Sequence, residues 1–184
     1  MKKIALLIFI LVALAQLSVP AMMAWGRIQT LNRGRVWKFK TAPVDPEDAV
    51  RGRYVMLRFA AEDFTQPEKF QTTDQVYAVL KETADGFAEI DHLSTTPVSG
   101  DNVITVEPGG NWDDRQHIVI PFTKFWVTEK IAPEAEKAYR ENSRRGKENA
   151  YVTVRVRSGD AALEQLYIDN QPLPEFLRAQ AAKK

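Results

Sequence analysis

The chain has 184 residues, 45% of them hydrophobic and 27% charged, a balance that suits one ordinary globular domain and excludes both wholesale disorder and a multi-span membrane protein. A formal net charge of +1 supplies no basic field for nucleic acid. The lack of cysteine removes disulfides, thiolate metal sites and cysteine nucleophiles together, and the two histidines, His92 and His117, share no metal-ligand spacing.

Lys2 and Lys3 precede a run from Ile4 to Trp25 that carries no charge. As a helix that run reaches roughly 33 Å, against about 30 Å of bilayer hydrocarbon. A cleaved signal peptide is the competing reading. Cleavage after Ala15 would leave an unusually short signal, and Pro20 weakens a cut after Ala21. Apolar residues also continue through Met22 and Met23 to Trp25, an interfacial residue type. The reading is therefore an uncleaved transmembrane anchor over residues 1–26 and one domain over residues 27–184. Arg27, Arg33, Arg35, Lys38 and Lys40 follow the span and oppose export by local charge. The two-lysine start before an abrupt apolar run nevertheless reads as an export signal, and long domains translocate with limited regard to charge. The expected location is the cytoplasmic membrane, single-pass, with the carboxy-terminal domain extracytoplasmic, that is periplasmic. Residues 1–26 hold two of the 25 basic side chains and none of the 24 acidic ones, so the domain has 23 against 24 and a net charge of −1.

Within the domain, Val36 to Lys40 alternates as a strand and meets a turn at Pro43 and Pro46. Arg53 to Ala61 is rich in strand formers, with Val55, Leu57 and Phe59 on one face and Tyr54, Met56 and Arg58 on the other. Two substantially apolar faces predict a strand in the middle of a covered sheet. Gln75 to Lys81 and Phe87 to Ile90 flank an Asp85-Gly86 turn, a hairpin signal. Val103 to Glu107 is a further short strand. His117 to Val127 reads as a longer one, with Pro121 at a bulge or an edge. The stretch Ala132 to Gly146 carries Pro133 in its first turn, acids early, bases late and a closing glycine, the order that a helix dipole prefers. Glu136–Arg140 and Glu141–Arg145 are four-residue pairs, and Ile131, Ala135, Ala138 and Tyr139 form its docking face. Tyr151 to Arg157 alternates with Val152, Val154 and Val156 inward, then turns at Ser158-Gly159-Asp160 into Ala162 to Ile168. The tail from Phe176 is a short helix or a frayed end. The fold class expected is β-rich α+β, a single antiparallel-sheet sandwich or partly open barrel with one docked helix, preceded by the membrane helix.

The stretch Val44 to Phe59, VDPEDAVRGRYVMLRF, resembles the signature of the GDYXXLXY family, bacterial envelope proteins of unknown function with an amino-terminal membrane segment. Gly52, Tyr54 and Leu57 keep the Gly-Asp-Tyr-x-x-Leu-x-Tyr pattern, whereas Arg53 stands at the aspartate and Phe59 at the last tyrosine. Pro43, Asp45, Pro46 and Arg51 resemble the family's approach to the motif. Phe125, Trp126, Val127 and Glu129 resemble its later aromatic stretch before a helix, with Thr128 where proline is usual. The resemblance implies an envelope setting and an integral membrane partner.

Physically, the prolines stiffen the approach, Asp45 accepts local backbone hydrogen bonds and Gly52 allows a tight entry into the strand. A carboxylate acting as base or metal ligand could not be exchanged for the Arg53 guanidinium, and Phe59 has no hydroxyl, so the motif reads as structural rather than catalytic. Other chemistry is also absent by pattern. Asp101, Glu107, Asp113 and Asp114 match no calcium loop and read as solvated acids. Asp91 and His92 imitate part of a catalytic pair, but neighbours on a strand point to opposite faces and no serine has a nucleophile-elbow sequence. Ser94, Ser99, Ser143 and Ser158 lie in turn, loop or helix contexts. Trp25 reads as an interface anchor, and Trp37, Trp112 and Trp126 as packing residues.

The function expected is that of a non-catalytic, membrane-anchored interaction or accessory protein, with Arg53, Tyr54, Trp126 and Glu129 as candidate interaction residues and no cofactor, metal or nucleic acid. One alternative is a small-molecule or peptide-binding module using an aromatic cleft around Tyr54, Trp126 or Trp112. A further one is a hydrolase, which would need His92 or His117 to converge with a serine and a carboxylate.

Overall fold

A computed structural model of the chain describes residues 2–43, 54–65, 70–71, 74–112, 115–144, 146–147 and 149–182. Asp45, Pro46, Arg51, Gly52 and Arg53 lie outside them. The uncharged amino-terminal run forms a helix, α1 (Lys2–Arg33), which continues past Trp25 with Pro20 inside it. Residues 6–33 are long and apolar enough to cross a membrane. At the end of α1 the Gly34 N–H donates to the Thr30 carbonyl at 2.9 Å. A Cβ on Gly34 would lie 2.5 Å from that oxygen and 3.0 Å from the Val156 carbonyl. Only glycine lets the helix turn at once into β1 (Arg35–Ala42) with its last turn seated on the sheet.

The domain that follows is β-rich and antiparallel. One sheet has the order β12-β11-β10-β1-β3, formed by β3 (Arg58–Phe59), β10 (Ala150–Arg157), β11 (Asp160–Ile168), β12 (Gln171–Pro172) and β1. A second has the order β4-β8-β7-β5-β6, from β4 (Asp63–Thr65), β5 (Val76–Glu82), β6 (Ala88–Ser94), β7 (Val103–Trp112) and β8 (Arg115–Val119). A two-stranded ribbon pairs β2 (Tyr54–Met56) with β9 (Lys124–Trp126). One buried cluster joins Phe39, Val152, Val154 and Val156 of the first sheet to Val76, Ala78, Ile104 and Ile118 of the second, the sandwich that alternating apolar positions specify. Phe39, Phe59 and Phe122 meet edge to face at its centre, with ring centroids 5.2–5.9 Å apart.

The final hairpin forms as its pattern predicts. Ser158 and Gly159 both take positive φ, the two-residue turn that matches strand twist, and Arg157 pairs with Asp160. Thr153 is buried as well, at a register slip between Thr153 and Val154, although alternation placed it outward. Gly86, at φ +77°, closes the β5–β6 hairpin.

Two expected strands are divided. The Arg53 to Ala61 segment keeps its parity, with Val55, Leu57 and Phe59 buried, yet it does not run through the middle of one sheet. Among the described residues β2 pairs with β9, whereas β3 pairs with β1, and between them the Leu57 N–H donates to the Thr123 carbonyl at 2.8 Å. Apolar alternation specifies the inward face of a strand, not its neighbours, so a chain rounding the corner between sheets satisfies the same pattern. The His117 to Val127 segment breaks into β8 and β9, because Pro121 and Phe122 form a turn instead of a bulge.

The predicted helix is α2 (Ala132–Asn142), with Pro133 in its first turn and Ala135, Ala138 and Tyr139 buried. It stops short of Gly146. The Asn142 carbonyl accepts the Asn149 N–H at 3.0 Å, drawing the chain back towards β10. Glu136 and Arg140 pair at 3.4 Å, and Arg145 lies outside the described residues. The tail forms a third helix, α3 (Leu173–Ala181), anchored by the fully buried Leu173.

Candidate interaction site

The ribbon of β2 and β9 brings together two residues that sequence reasoning named separately. Tyr54 lies opposite Trp126 in the antiparallel register, and their rings meet edge to face with centroids 5.3 Å apart. Lys124, two residues before Trp126 and on the same face by strand parity, places its ammonium 5.2 Å from the Tyr54 ring centre. Trp126 is 67% exposed, so it is a surface residue and not the packing residue expected. Its neighbours explain the difference: Phe125 faces the core, which turns Trp126 the other way. Glu129 is also exposed, in the turn that leads into α2. Pro43 is exposed where β1 ends. The remaining motif members, Gly52 and Arg53, and the supporting Asp45, Pro46 and Arg51 are not among the described residues.

The other half of the motif is buried. Leu57 and Phe59 enter the core, and two polar groups missed by sequence reasoning hold the backbone beside them. The Phe59 N–H donates to a carboxylate oxygen of the buried Glu62 at 3.1 Å. The Tyr139 hydroxyl accepts the Arg58 N–H at 3.4 Å and donates to the Ala42 carbonyl at 3.3 Å. Ala42 and Arg58 are register partners at the end of the β1–β3 ladder, so the phenol closes that ladder. Burial pushes the Tyr139 phenol up to about 12, and the hydrogen bond from the Arg58 backbone offsets part of that rise. A carboxylate three residues beyond a strand end was the available signal for Glu62.

The described candidates for bond chemistry are spread over several elements. Asp91 and His92 do interact, contrary to strict alternation, with Nδ1 2.9 Å from the carboxylate. The cause is a bulge: Val79 pairs with His92 and Leu80 with Ile90, leaving Asp91 as the extra residue. That hydrogen bond, with Lys81 nearby, holds the Asp91 carboxyl below its usual range. Among the described residues Asp91 is the hydrogen-bond partner of the His92 ring, and no hydroxyl joins them. His117 lies three strands away in the same sheet, on β8. Asp101 serves the scaffold: its carbonyl accepts the buried Trp37 indole N–H at 2.8 Å, and its carboxylate faces the Ser158 N–H at 3.4 Å. Glu107 pairs with Val119, and Asp113 and Asp114 lie outside the described residues. Three grooves formed by described residues lie elsewhere, between α1 and β11, beside the Asp85-Gly86 turn, and between α2 and α3.

No curated protein and no solved structure matches the chain. A family model described as GDYXXLXY protein matches residues 16–166, from within α1 into β11. With most of its length matched, and with Tyr54, Leu57 and Phe59 placed on one segment that passes from the β2–β9 ribbon to the β1–β3 pairing, the chain belongs to the GDYXXLXY family.

Proposed function

We propose that this protein is a non-catalytic, membrane-anchored interaction domain. α1 holds it in the cytoplasmic membrane, the domain lies on the extracytoplasmic side, and the Tyr54–Trp126 face docks on an integral membrane partner. The observation that carries the reading is the exposed Trp126 indole, fixed by Tyr54 across the ribbon. Tryptophan and tyrosine give large contact area with few rotatable bonds, so a pre-set aromatic pair loses little entropy when a partner covers it. Lys124 adds a cation at its rim. The length and apolarity of α1 support the anchor, and its two-lysine start supports the orientation.

The test is recovery of partners from membranes solubilised in mild detergent, paired with a topology reporter fused after Lys184. The reading expects an extracytoplasmic reporter and a discrete membrane protein that co-purifies with the wild type and is lost with Trp126→Ala while the variant stays folded. A cytoplasmic reporter, or equal recovery with the variant and with an unrelated anchored domain, contradicts it.

A further inference from the structure

The end of α1 lies against β10 and β11 and leaves a groove of about 490 Å³, with Met22, Met23, Gly26 and Arg27 on the helix side and Asp160 and Ala162 on the sheet side. Its placement follows from the anchor reading, on which this inference rests. If Ile4 to Trp25 fill the hydrocarbon, Met22 and Met23, both 73% exposed, face the headgroup-proximal part of the acyl chains. Arg27 stands five residues beyond Met22, roughly 7.5 Å along the helix, which is about the thickness of one headgroup layer. The groove thus runs from acyl depth to headgroup depth.

Its lining carries one charge of each sign. Arg27 and Asp160 both line it, yet among the described residues neither forms an ion pair with the other or with any third side chain. A guanidinium takes a phosphate by paired hydrogen bonds, and a carboxylate accepts from a primary ammonium. Thioether side chains adapt to flexible hydrocarbon. We infer that the groove binds a phospholipid whose headgroup carries both a phosphate and a primary ammonium, with the phosphate on Arg27, the ammonium on Asp160 and an acyl chain along Met22 and Met23. A headgroup with net negative charge would meet repulsion from Asp160, and a quaternary ammonium has no N–H to donate to it.

Gly26 supplies an independent handle, because it lines the groove and a Cβ built there meets nothing within 4 Å. The experiment places the full chain in nanodiscs with equal phosphatidylethanolamine, phosphatidylcholine and phosphatidylglycerol, extracts it mildly and counts retained lipids by native mass spectrometry. Phosphatidylethanolamine should be retained roughly two- to fivefold over the other two, the range that one partly exposed ion pair provides. Arg27→Gln and Asp160→Asn should each abolish that preference, and Gly26→Leu should lower retention of all three. Equal retention by the wild type, or a preference that survives both charge-removing variants, overturns the inference. Carbonate washing of native membranes separates the two failures: a released chain removes the anchor and this site together, whereas a retained chain without lipid preference removes only the site.

Discussion

Tyr54 and Phe59 stand five residues apart on one motif segment, and they live in different environments. Phe59 is buried against Phe39 and Phe122, with its N–H held by Glu62 and the adjoining Arg58 N–H held by Tyr139. Tyr54 sits on a two-stranded ribbon, with Lys124 near its ring and an exposed Trp126 beside it. The change occurs at Leu57, where the chain leaves β9 and joins β1. A short motif can therefore lock a sheet corner with one end and present an aromatic surface with the other, and substitutions at the two ends should fail in different ways.

The largest expected effect is at the buried end. Phe59→Ala removes two edge-to-face contacts and leaves a cavity between the sheets, which should cost about 3–5 kcal/mol, read as a fall in the urea midpoint. If that variant were as stable as the wild type, the corner would not be the lock described. Tyr139→Phe keeps the ring but strips the hydroxyl from the Ala42 carbonyl and the Arg58 N–H, for a loss of about 0.5–1.5 kcal/mol at neutral pH. Tyr139 also makes a pH prediction. With the folded phenol raised to about 12 from 10.0, the unfolded chain ionises first. The stabilisation is complete below pH 10 and drains away as the pH rises through 12, so the alkaline decline should be shallower in Tyr139→Phe. At the surface end, Trp126→Ala should cost only about 0.5–1.5 kcal/mol, the worth of one aromatic pair, while abolishing partner recovery. Smallest of all, Lys124→Ala should cost about 0.5 kcal/mol and weaken recovery without abolishing it.

Much of the scaffold could be read from residue order because local chemistry dictates it. Gly86 and Gly159 mark hairpins since their turns need positive φ, and Val152, Val154 and Val156 mark an inward face by period two. Pro133 and the buried Ala135, Ala138 and Tyr139 define α2. What the order of residues does not encode is which strand sits alongside which. The pattern at Val55, Leu57 and Phe59 is equally consistent with one long strand and with a corner, and the partner that decides between them, Thr123, is 66 residues away from Leu57. The bulge at Asp91 had the same origin, for an unpaired residue shows only once the register against Val79 and Leu80 is known. The surface site was half legible. Tyr54 and Trp126 were both named from the family pattern, but their pairing is tertiary and shows only once β2 is set against β9.

The most direct measurement installs a photo-crosslinking amino acid at position 126 in the full-length chain and irradiates native membranes, with position 119 on β8 as an exposed control. A single discrete adduct with an integral membrane protein at 126 and none at 119 is the predicted result. Identical adduct patterns at the two positions, or no adduct at 126 in a chain that remains folded and membrane-bound, would contradict the assignment of this face to partner docking.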